Sequence, residues 1–294
     1  MALITEVAFH AQMRKRKIRG YVFYALCLTA VALGLLMLAA LLYNVLSEGL
    51  SRLSWDFITN FPSRFPERAG IHAAILGSIY VVSIANVVAF SLGVGAAIYL
   101  EEYAKKGTFA SFIQLNIANL AGVPSIVYGI LGLEIFVRIM ELGKSVIAGG
   151  LTLALLVLPI VIIASQEAIR AVPPSLKEGG FALGATKWQV VRRLVLPYAF
   201  PGILTGAILA VSRAVGETAP LIVMGALTFV PFAPDGPMSR FTVLPIQIFN
   251  WVSRPQEGFH VAAAAGIIVL LVVLLTMNAF AVFLRHKFQK GTQW

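Results

Sequence analysis

Charged residues are scarce in this chain. Asp, Glu, Lys and Arg make up 12% of its 294 residues, whereas hydrophobic residues make up 59% and the mean hydropathy is +0.87. Soluble domains carry about twice that share of charge, so the composition excludes a soluble globular protein. It indicates an integral membrane protein.

Cysteine and histidine are also rare. Cys27 is the only cysteine and lies inside an apolar run, which excludes an intrachain disulfide and predicts a buried, small hydrophobic side chain. The four histidines are scattered, and the sequence shows neither metal-ligand spacing, nor a nucleophile beside its base, nor a complete P-loop. We therefore expect a non-catalytic chain that holds no metal or cofactor of its own.

Long apolar runs recur along the chain. A helix needs roughly 20 apolar residues to cross a hydrocarbon core about 30 Å thick, and six runs reach that length. The first has 26 residues, more than the roughly 7 to 15 of a signal peptide's apolar core. We predict an all-α polytopic membrane protein with six transmembrane helices. The predicted spans are Tyr21–Leu46, Ile71–Leu100, Phe109–Val137, Ser145–Gln166, Gly202–Thr228 and Val261–Leu284.

The net charge of +10 reflects the distribution of Lys and Arg around these spans. Fifteen of the 23 lie in the two termini and in the loops after spans 2 and 4, against seven in the alternate compartments. The cytoplasmic side retains the excess, so we expect residues 1–20 and 285–294 to be cytoplasmic tails. This arrangement explains the charge without nucleic-acid binding.

The loop at residues 170–197 between spans 4 and 5 carries local order of its own. Two prolines at 173 and 174 end the preceding helix. Ser175 with Glu178, and Thr186 with Gln189, have the spacing of capping boxes at helix starts, and Gly184 suits a left-handed helix end. Two short helices bent at Gly184 are predicted. They form either a plain surface hairpin or a docking element.

Span 5 contains charges where a membrane helix tolerates few. Arg213 and Glu217 lie four residues apart, at the middle of the predicted helix and on one face. The pair is either an internal ion pair or an anion site on a transport path, since guanidinium presents paired donors to an oxyanion. Pro220 cannot donate to the Gly216 carbonyl, so a kink is predicted beside the charges. Thr218 adds a hydroxyl next to the pair.

A second stretch of small residues lies in span 3. Pro124 predicts a kink there, and Ser125 and Tyr128 are three residues apart. Their hydroxyls either line a polar path or pack around the kink, each bonded to a carbonyl.

The 170–197 loop resembles the EAA loop of ABC-importer permeases. Glu178, Gly179, Gly180, then Gly184 and finally the segment at residues 194–197 follow the family pattern, with glycines where two alanines are usual and Leu194 for Ile. In that family the first loop helix couples an ATPase subunit to the spans. The resemblance implies that Glu178, Gly179, Gly180 and Gly184 belong to this contact, with ATP and Mg²⁺ bound on the partner.

A narrower resemblance rests on two motifs. GVPSIVYGILGL at residues 122–133 and RAVGETAPL at 213–221, together with LPIQIFNWVSRP at 244–255, are similar to the A-type permeases of phosphate-specific ABC importers. The resemblance covers most of residues 70–285 and implies a permease domain at 71–284 with a type I, MetI-like fold. It also implies that Arg213 is needed for transport. Many relatives carry a further basic residue where this chain has Ile163 and Ala164, so a second anion contact is expected from a partner.

The resemblance implies an assembly in the bacterial cytoplasmic membrane. Its expected parts are a second permease subunit, two ATPase subunits and an extracytoplasmic phosphate-binding protein. The chain is thus expected to import inorganic phosphate, with Arg213 as a transient contact and Glu217 tempering its affinity. Two alternatives stay open: a permease for sulfate, molybdate or phosphonate, and a membrane scaffold in phosphate-status signalling. The segment at residues 231–260 either contacts the binding protein or contains an interfacial helix at residues 244–252.

Overall fold

The structure is a computed structural model that describes residues 2–105, 107–226 and 229–289. Lys106, the expected end of span 5 at Thr228, and residues 290–294 of the expected carboxyl-terminal tail lie outside the described residues. The described chain folds into α-helices joined by short turns and one longer irregular segment before residue 244. The helices are α1 Ala2–Gly49, α2 Trp55–Thr59, α3 His72–Ile98, α4 Thr108–Ala121, α5 Ser125–Gly132, α6 Val146–Arg170, α7 Pro174–Ala182, α8 Lys187–Val190, α9 Leu196–Gly216, α10 Ala219–Met224, α11 Leu244–Val252 and α12 Glu257–Gln289.

Five helical segments are long and apolar enough to cross a membrane, and a bent pair can supply a sixth. This agrees with the predicted all-α fold and its six spans. The five segments are Arg16–Gly49, His72–Tyr103, Val146–Arg170, Lys187–Gly216 and Glu257–Lys287, and the bent pair is Thr108–Ala121 with Ser125–Ile139.

The first helix is longer and more isolated than expected. It runs without interruption through the expected boundary at residue 20. None of its most apolar stretch is buried within the chain, because its main packing partner is α12 at one end. Cys27 is exposed, so the expectation that it is buried was wrong: the apolar run meets surroundings outside this chain rather than its own core.

Helix α6 forms the centre of the molecule and packs mainly against α3 and α9. Two glycines of α9 allow the closest approach: a Cβ at Gly202 would lie 2.7 Å from the Ala168 Cβ, and one at Gly206 would lie 2.4 Å from the Ala164 Cβ. Small residues of this kind let membrane helices pack backbone to backbone. Moving four residues forward along α9, from Gly202 to Gly206, moves the contact four residues back along α6, from Ala168 to Ala164. The two helices are therefore antiparallel.

Helix α11 has the bounds suggested for an interfacial helix, and its first half packs inside the chain. Residues 241–248 are all buried, whereas Phe249 and Val252 are 55% and 54% exposed. The Ser78 hydroxyl on α3 accepts a hydrogen bond from the Leu244 amide at 2.9 Å and satisfies the start of α11. A Cβ at Gly77 would lie 2.0 Å from the Thr242 carbonyl oxygen, so this segment is wedged against α3.

Two of the predicted spans are broken rather than continuous. Span 3 bends by 102° between α4 and α5, a sharper change than the predicted kink. Span 5 ends as a helix at Gly216 and resumes at Ala219, so the prediction of one helix over 202–228 was wrong. The membrane-length helix instead starts earlier, in the 170–197 loop, and ends where the charged residues stand.

Candidate substrate path and coupling loop

Arg213 lies level with the middle of the central helix. Continuing the register set by Gly202 and Gly206 along α9 places Arg213 opposite Val157, one residue from the centre of α6. At about 1.5 Å per residue, a helix of 25 residues spans the hydrocarbon core with little to spare. The packing thus places Arg213 beside the middle of α6, three residues before the end of its own helix at Gly216.

The backbone leaves the helical conformation beside the charges. Glu217 has an extended conformation, with φ −76° and ψ 128°, and Thr218 forms the N-cap position of α10 without a side-chain cap bond. Pro220 occupies the first turn of α10, where its missing N–H has no helical acceptor to satisfy. The predicted kink is therefore a full break. Non-helical backbone at this depth is tolerated only against protein or a water-filled cavity.

Arg213 and Glu217 form an ion pair across the end of the helix. The Arg213 Nε donates to Glu217 Oε1 at 3.3 Å, and the side chains are 39% and 16% exposed within this chain. The longer bond and the exposed guanidinium leave its other N–H donors available to a second acceptor.

The two broken spans meet each other at this site. A Cβ at Gly129 on α5 would lie 2.6 Å from the Pro220 Cα and 2.7 Å from its carbonyl oxygen. Only glycine allows such an approach between two backbones. The contact is five residues from the break at Pro124 and three from Glu217, so both breaks come together on one side of α6.

The three predicted residues of span 3 have different surroundings. Pro124 is exposed within the chain and is the N-cap residue of α5, Ser125 is half-buried, and Tyr128 is 5% exposed. The Tyr128 hydroxyl donates to the Leu120 carbonyl at 2.7 Å. This bond ties α4 to α5 across the 102° bend, as in the packing interpretation of Tyr128.

The loop at residues 170–197 bends between two helices as predicted, with two corrections. The second helix is not short, because it continues from Lys187 through Pro197 into span 5 as far as Gly216. Thr186 and Gln189 make the reciprocal bonds of a capping box at the start of α8. Gly184 has φ +81°, the left-handed conformation predicted for the turn between the helices. Ser175 and Glu178 do not form a capping box: α7 begins at Pro174, with Pro173 in the N-cap position, because proline is preorganised for the first turn of a helix.

The EAA-like residues divide into an exposed and a buried part. Glu178 and Gly179 are exposed, and a Cβ at Gly179 would meet nothing within 4 Å. Gly180 is buried, and its Cβ would lie 2.7 Å from the Leu194 Cδ1 and 3.0 Å from the Val190 Cγ2. Two departures from the family pattern, Gly180 and Leu194, therefore face each other. The larger reach of leucine fills the space that an alanine methyl would need.

The tip of the loop exposes apolar surface. Leu183 is 91% exposed and Phe181 is 48% exposed, while the opposite face of α7 packs through Leu176 against a core cluster that includes Val190 and Val195. A solvated hairpin would leave polar side chains at its tip. Exposed apolar side chains held on a rigid base indicate a contact surface.

Residues 89–290 match the family model described as "Binding-protein-dependent transport system inner membrane component". The chain belongs to this family. Similar proteins include the probable ABC transporter permease protein YqgI of Bacillus subtilis, 33% identical over 88% of this chain and 91% of the relative. The phosphate transport system permease protein PstA of Haemophilus influenzae is 31% identical over 92% of this chain and 96% of the relative. PstA 1 of Mycobacterium tuberculosis strain CDC 1551 is 30% identical over 96% and 93%.

Solved structures of ABC importers share the fold. A bacterial alginate ABC transporter in complex with its periplasmic protein aligns with a TM-score of 0.63 at 16% identity, over 90% of this chain and 93% of that chain. The inward-facing MetNI methionine ABC transporter aligns with a TM-score of 0.58 at 16% identity, over 74% and 96%. The predicted type I, MetI-like fold of this permease is confirmed. At these identities the likeness concerns the fold and not the substrate.

Sequence reasoning missed one group of residues in the permease. Glu101 and Glu102, on the π-helical segment Tyr99–Tyr103 that continues α3, contact basic side chains at the end of α6 and on α7. Two adjacent acids at the end of an apolar run, on the side where basic residues accumulate, were the available signal. Their partners are 69 and 75 residues away in the chain, so the pairing itself could not be predicted from the sequence.

Proposed function

We propose that this permease forms the path for inorganic phosphate in an ATP-driven importer. One observation carries the proposal: Arg213 stands beside the middle of α6 at a broken helix, with 39% of its side chain exposed and one carboxylate partner at 3.3 Å. The phosphate transport permeases that resemble the chain along nearly all of its length support this substrate.

The exposed guanidinium argues for a second subunit. An arginine facing lipid at this depth costs a few kcal/mol or more, so its open side must meet protein or water. A second permease subunit packed against that side would enclose the breaks in spans 3 and 5 and leave a polar passage between the two chains. The side chains of Ser125 and Thr218 stand beside these breaks and are half-buried, which suits them to such a passage.

Within the passage, Arg213 and Glu217 are proposed to set the affinity for a phosphate ion together. The free donors of Arg213 form charge-assisted hydrogen bonds with the phosphate oxygens. Glu217 competes for the same guanidinium and keeps the affinity low, and transport needs binding strong enough to enter and weak enough to leave. Glu217 also offers an acceptor to the P–O–H group of monohydrogen phosphate, a group that sulfate lacks.

The 170–197 loop is proposed to dock into an ATPase subunit. Leu183 and Phe181 supply apolar contact area, Glu178 and Gly179 lie on the exposed side of α7, and Gly184 sets the bend. ATP and Mg²⁺ would be held by two such ATPase subunits, and a phosphate-binding protein would deliver substrate at the opposite face. This arrangement places the loop and both termini in the cytoplasm of a bacterial cell, and the chain in the cytoplasmic membrane.

The test is ATP-dependent uptake of labelled phosphate by the complete importer reconstituted in liposomes. Arg213→Gln is expected to reduce uptake by roughly 10- to 150-fold, because a charge-assisted pair contributes roughly 1.5–3 kcal/mol to the barrier crossing. Arg213→Lys keeps the positive charge but loses the planar, bidentate donor geometry of guanidinium, so it should retain part of the uptake rate. Arg240→Gln removes an exposed arginine from the segment before α11 and serves as the control.

The same assay separates phosphate from other oxyanions. Excess sulfate or molybdate should not compete with phosphate in the wild-type importer, and Glu217→Gln should increase sulfate flux in a binding-protein-independent variant. Full phosphate uptake by Arg213→Gln, with assembly intact, would refute the role of Arg213. Wild-type uptake of sulfate or molybdate in preference to phosphate would refute the substrate.

A further inference from the structure

Two acidic side chains at the end of α3 are held between the 170–197 loop and the spans. Glu101 and Glu102 lie on the π-helical segment Tyr99–Tyr103, and their side chains are 14% and 10% exposed. Carboxylates buried to this degree require charged or hydrogen-bonding partners. Each has found such partners on a different element.

Glu101 joins α3 to the end of α6. Its Oε1 accepts a hydrogen bond from Arg170 Nη2 at 2.7 Å and another from Gln166 Nε2 at 3.0 Å. Arg170 also contacts Glu167 at 3.0 Å. Since Arg170 is the last residue of α6, Glu101 fixes the point where the 170–197 loop leaves the membrane helix.

Glu102 joins α3 to the loop helix itself. Its Oε1 accepts a hydrogen bond from the Lys177 ammonium on α7. Consecutive helical residues point roughly 100° apart, which explains why two adjacent acids reach two separate elements. A third contact comes from α8, where the Lys187 ammonium lies 5.0 Å from the centre of the Tyr103 ring, within cation–π range.

We propose that the segment Tyr99–Tyr103 is a mechanical coupler, with Glu101 and Glu102 as positioning residues. It makes α7 and the adjoining ends of α3 and α6 move as one body, so that displacement of α7 by an ATPase reaches α3 directly. Without it, motion would reach α3 through the packing of α6 and α9 and through the apolar cluster that Ala97 of α3 shares with Leu176 and Val190. This inference rests on the proposed docking of the loop. It identifies α3, which is far from the loop in sequence, as the span to which the displacement of α7 is transmitted.

Ion pairs that only stabilise the fold would have a different signature. Their removal would lower stability and amount of complex, with transport per molecule unchanged. Loss of a coupler leaves the complex assembled and the ATPase turning over, but reduces the substrate imported per ATP hydrolysed. The ratio of uptake to hydrolysis is therefore the readout.

The first experiment replaces the two partners of the contact between α3 and α7, singly and together, in the reconstituted importer. Glu102→Gln and Lys177→Gln are each expected to reduce substrate imported per ATP about fivefold, at the lower end of usual coupling free energies. The double variant should be no worse than either single one, because both remove the same contact. Glu134→Gln is the matched control: it breaks an exposed ion pair with Arg138 at 2.8 Å and should leave the ratio unchanged.

The second experiment rebuilds the contact covalently. In a Cys27→Ala background, Glu102→Cys with Lys177→Cys should be as poorly coupled as the glutamine variants. A bifunctional thiol reagent with a short flexible spacer should restore the ratio, because a coupler moves as one body throughout the cycle. Normal coupling before bridging would overturn the proposal, and so would a bridge that fails to restore the ratio or stops uptake.

The outcomes also separate this inference from the proposed substrate. The ratio is measured with whichever oxyanion the wild-type importer carries, so a different substrate leaves the test valid. If the wild-type chain does not associate with an ATPase at all, the docking proposal fails, and this is detected by co-purification before any variant is compared. An altered ratio with wild-type co-purification supports the coupler alone.

Discussion

The contact between Gly129 and Pro220 allows a quantitative prediction for the candidate path. In Gly129→Ala the added Cβ would lie 2.6 Å from the Pro220 Cα and 3.1 Å from its carbonyl carbon. Carbon atoms pack best at about 3.5–4.0 Å, so α5 and α10 would have to separate by roughly 1 Å. The obstructing atoms belong to the backbone, and no side-chain rotation can relieve the contact.

The expected cost is at the upper end of that for overpacked cores. Such substitutions usually cost about 1–3 kcal/mol, and about 2 kcal/mol would lower the Tm of a chain of this size by roughly 4–8 °C. Because Pro220 is three residues from Glu217, the same displacement would move the ion pair with Arg213. A shift of about 1 Å at a positioned site can reduce turnover about a hundredfold. Uptake per assembled importer should therefore fall strongly even at temperatures where the variant stays folded.

The assay combines thermal unfolding of the purified complex with phosphate uptake per assembled importer. Gly122→Ala is the matched control at the neighbouring break, because its Cβ would be 3.5 Å from the nearest atom, the Asn119 carbonyl oxygen. It should change neither quantity by much. Wild-type melting and uptake for Gly129→Ala would refute the close backbone contact between the two broken spans.

Two further pairs of substitutions test the packing around the site. Gly179→Ala should increase hydrogen-exchange protection of α7 by about fivefold, since alanine gains roughly 1 kcal/mol over glycine in a helix and the position is open. Gly180→Ala should gain no such protection, because its methyl meets Leu194 and Val190. Equal protection in both variants would contradict the interpretation that Leu194 fills the space of an alanine methyl at position 180. Gly206→Ala should destabilise the packing of α9 on α6 by about 1–3 kcal/mol, with Ala164→Gly as the compensating change. Gly95→Ala, whose Cβ would meet nothing within 4 Å, should melt like the wild type, and a similar Tm for Gly206→Ala would show that these two helices can separate freely.

Local sequence was enough to predict the class, the number of spans and the bend in the 170–197 loop. Hydrophobic run length depends on the thickness of the bilayer, so it predicts spans without knowledge of the fold. Gly184 and the Thr186 capping box were predicted correctly because both depend on residues within one turn. Ser175 was misassigned within the same loop, because two competing start signals stood side by side and proline took the first turn.

The position of the breaks was decided by tertiary structure. Run length suggested that span 5 continues to residue 228, but α9 ends at Gly216, where Pro220 packs against Gly129 of another span. The partners are 91 residues apart in the chain, and a local pattern carries no information about such a contact. The same holds for Glu101 and Glu102, whose charges were visible in the sequence while their basic partners on α6 and α7 were not.

The sequence by itself therefore determined that this chain is a membrane permease with a charged pair in its fifth span and an ordered loop before it. Folding decided what those residues face. It ended α9 beside Arg213, left one side of the guanidinium open, and attached the loop to α3 through two buried carboxylates. The physical reason is range: apolar length, turn geometry and caps act within a few residues, whereas a buried charge is satisfied by whichever group the packed helices bring within about 3 Å.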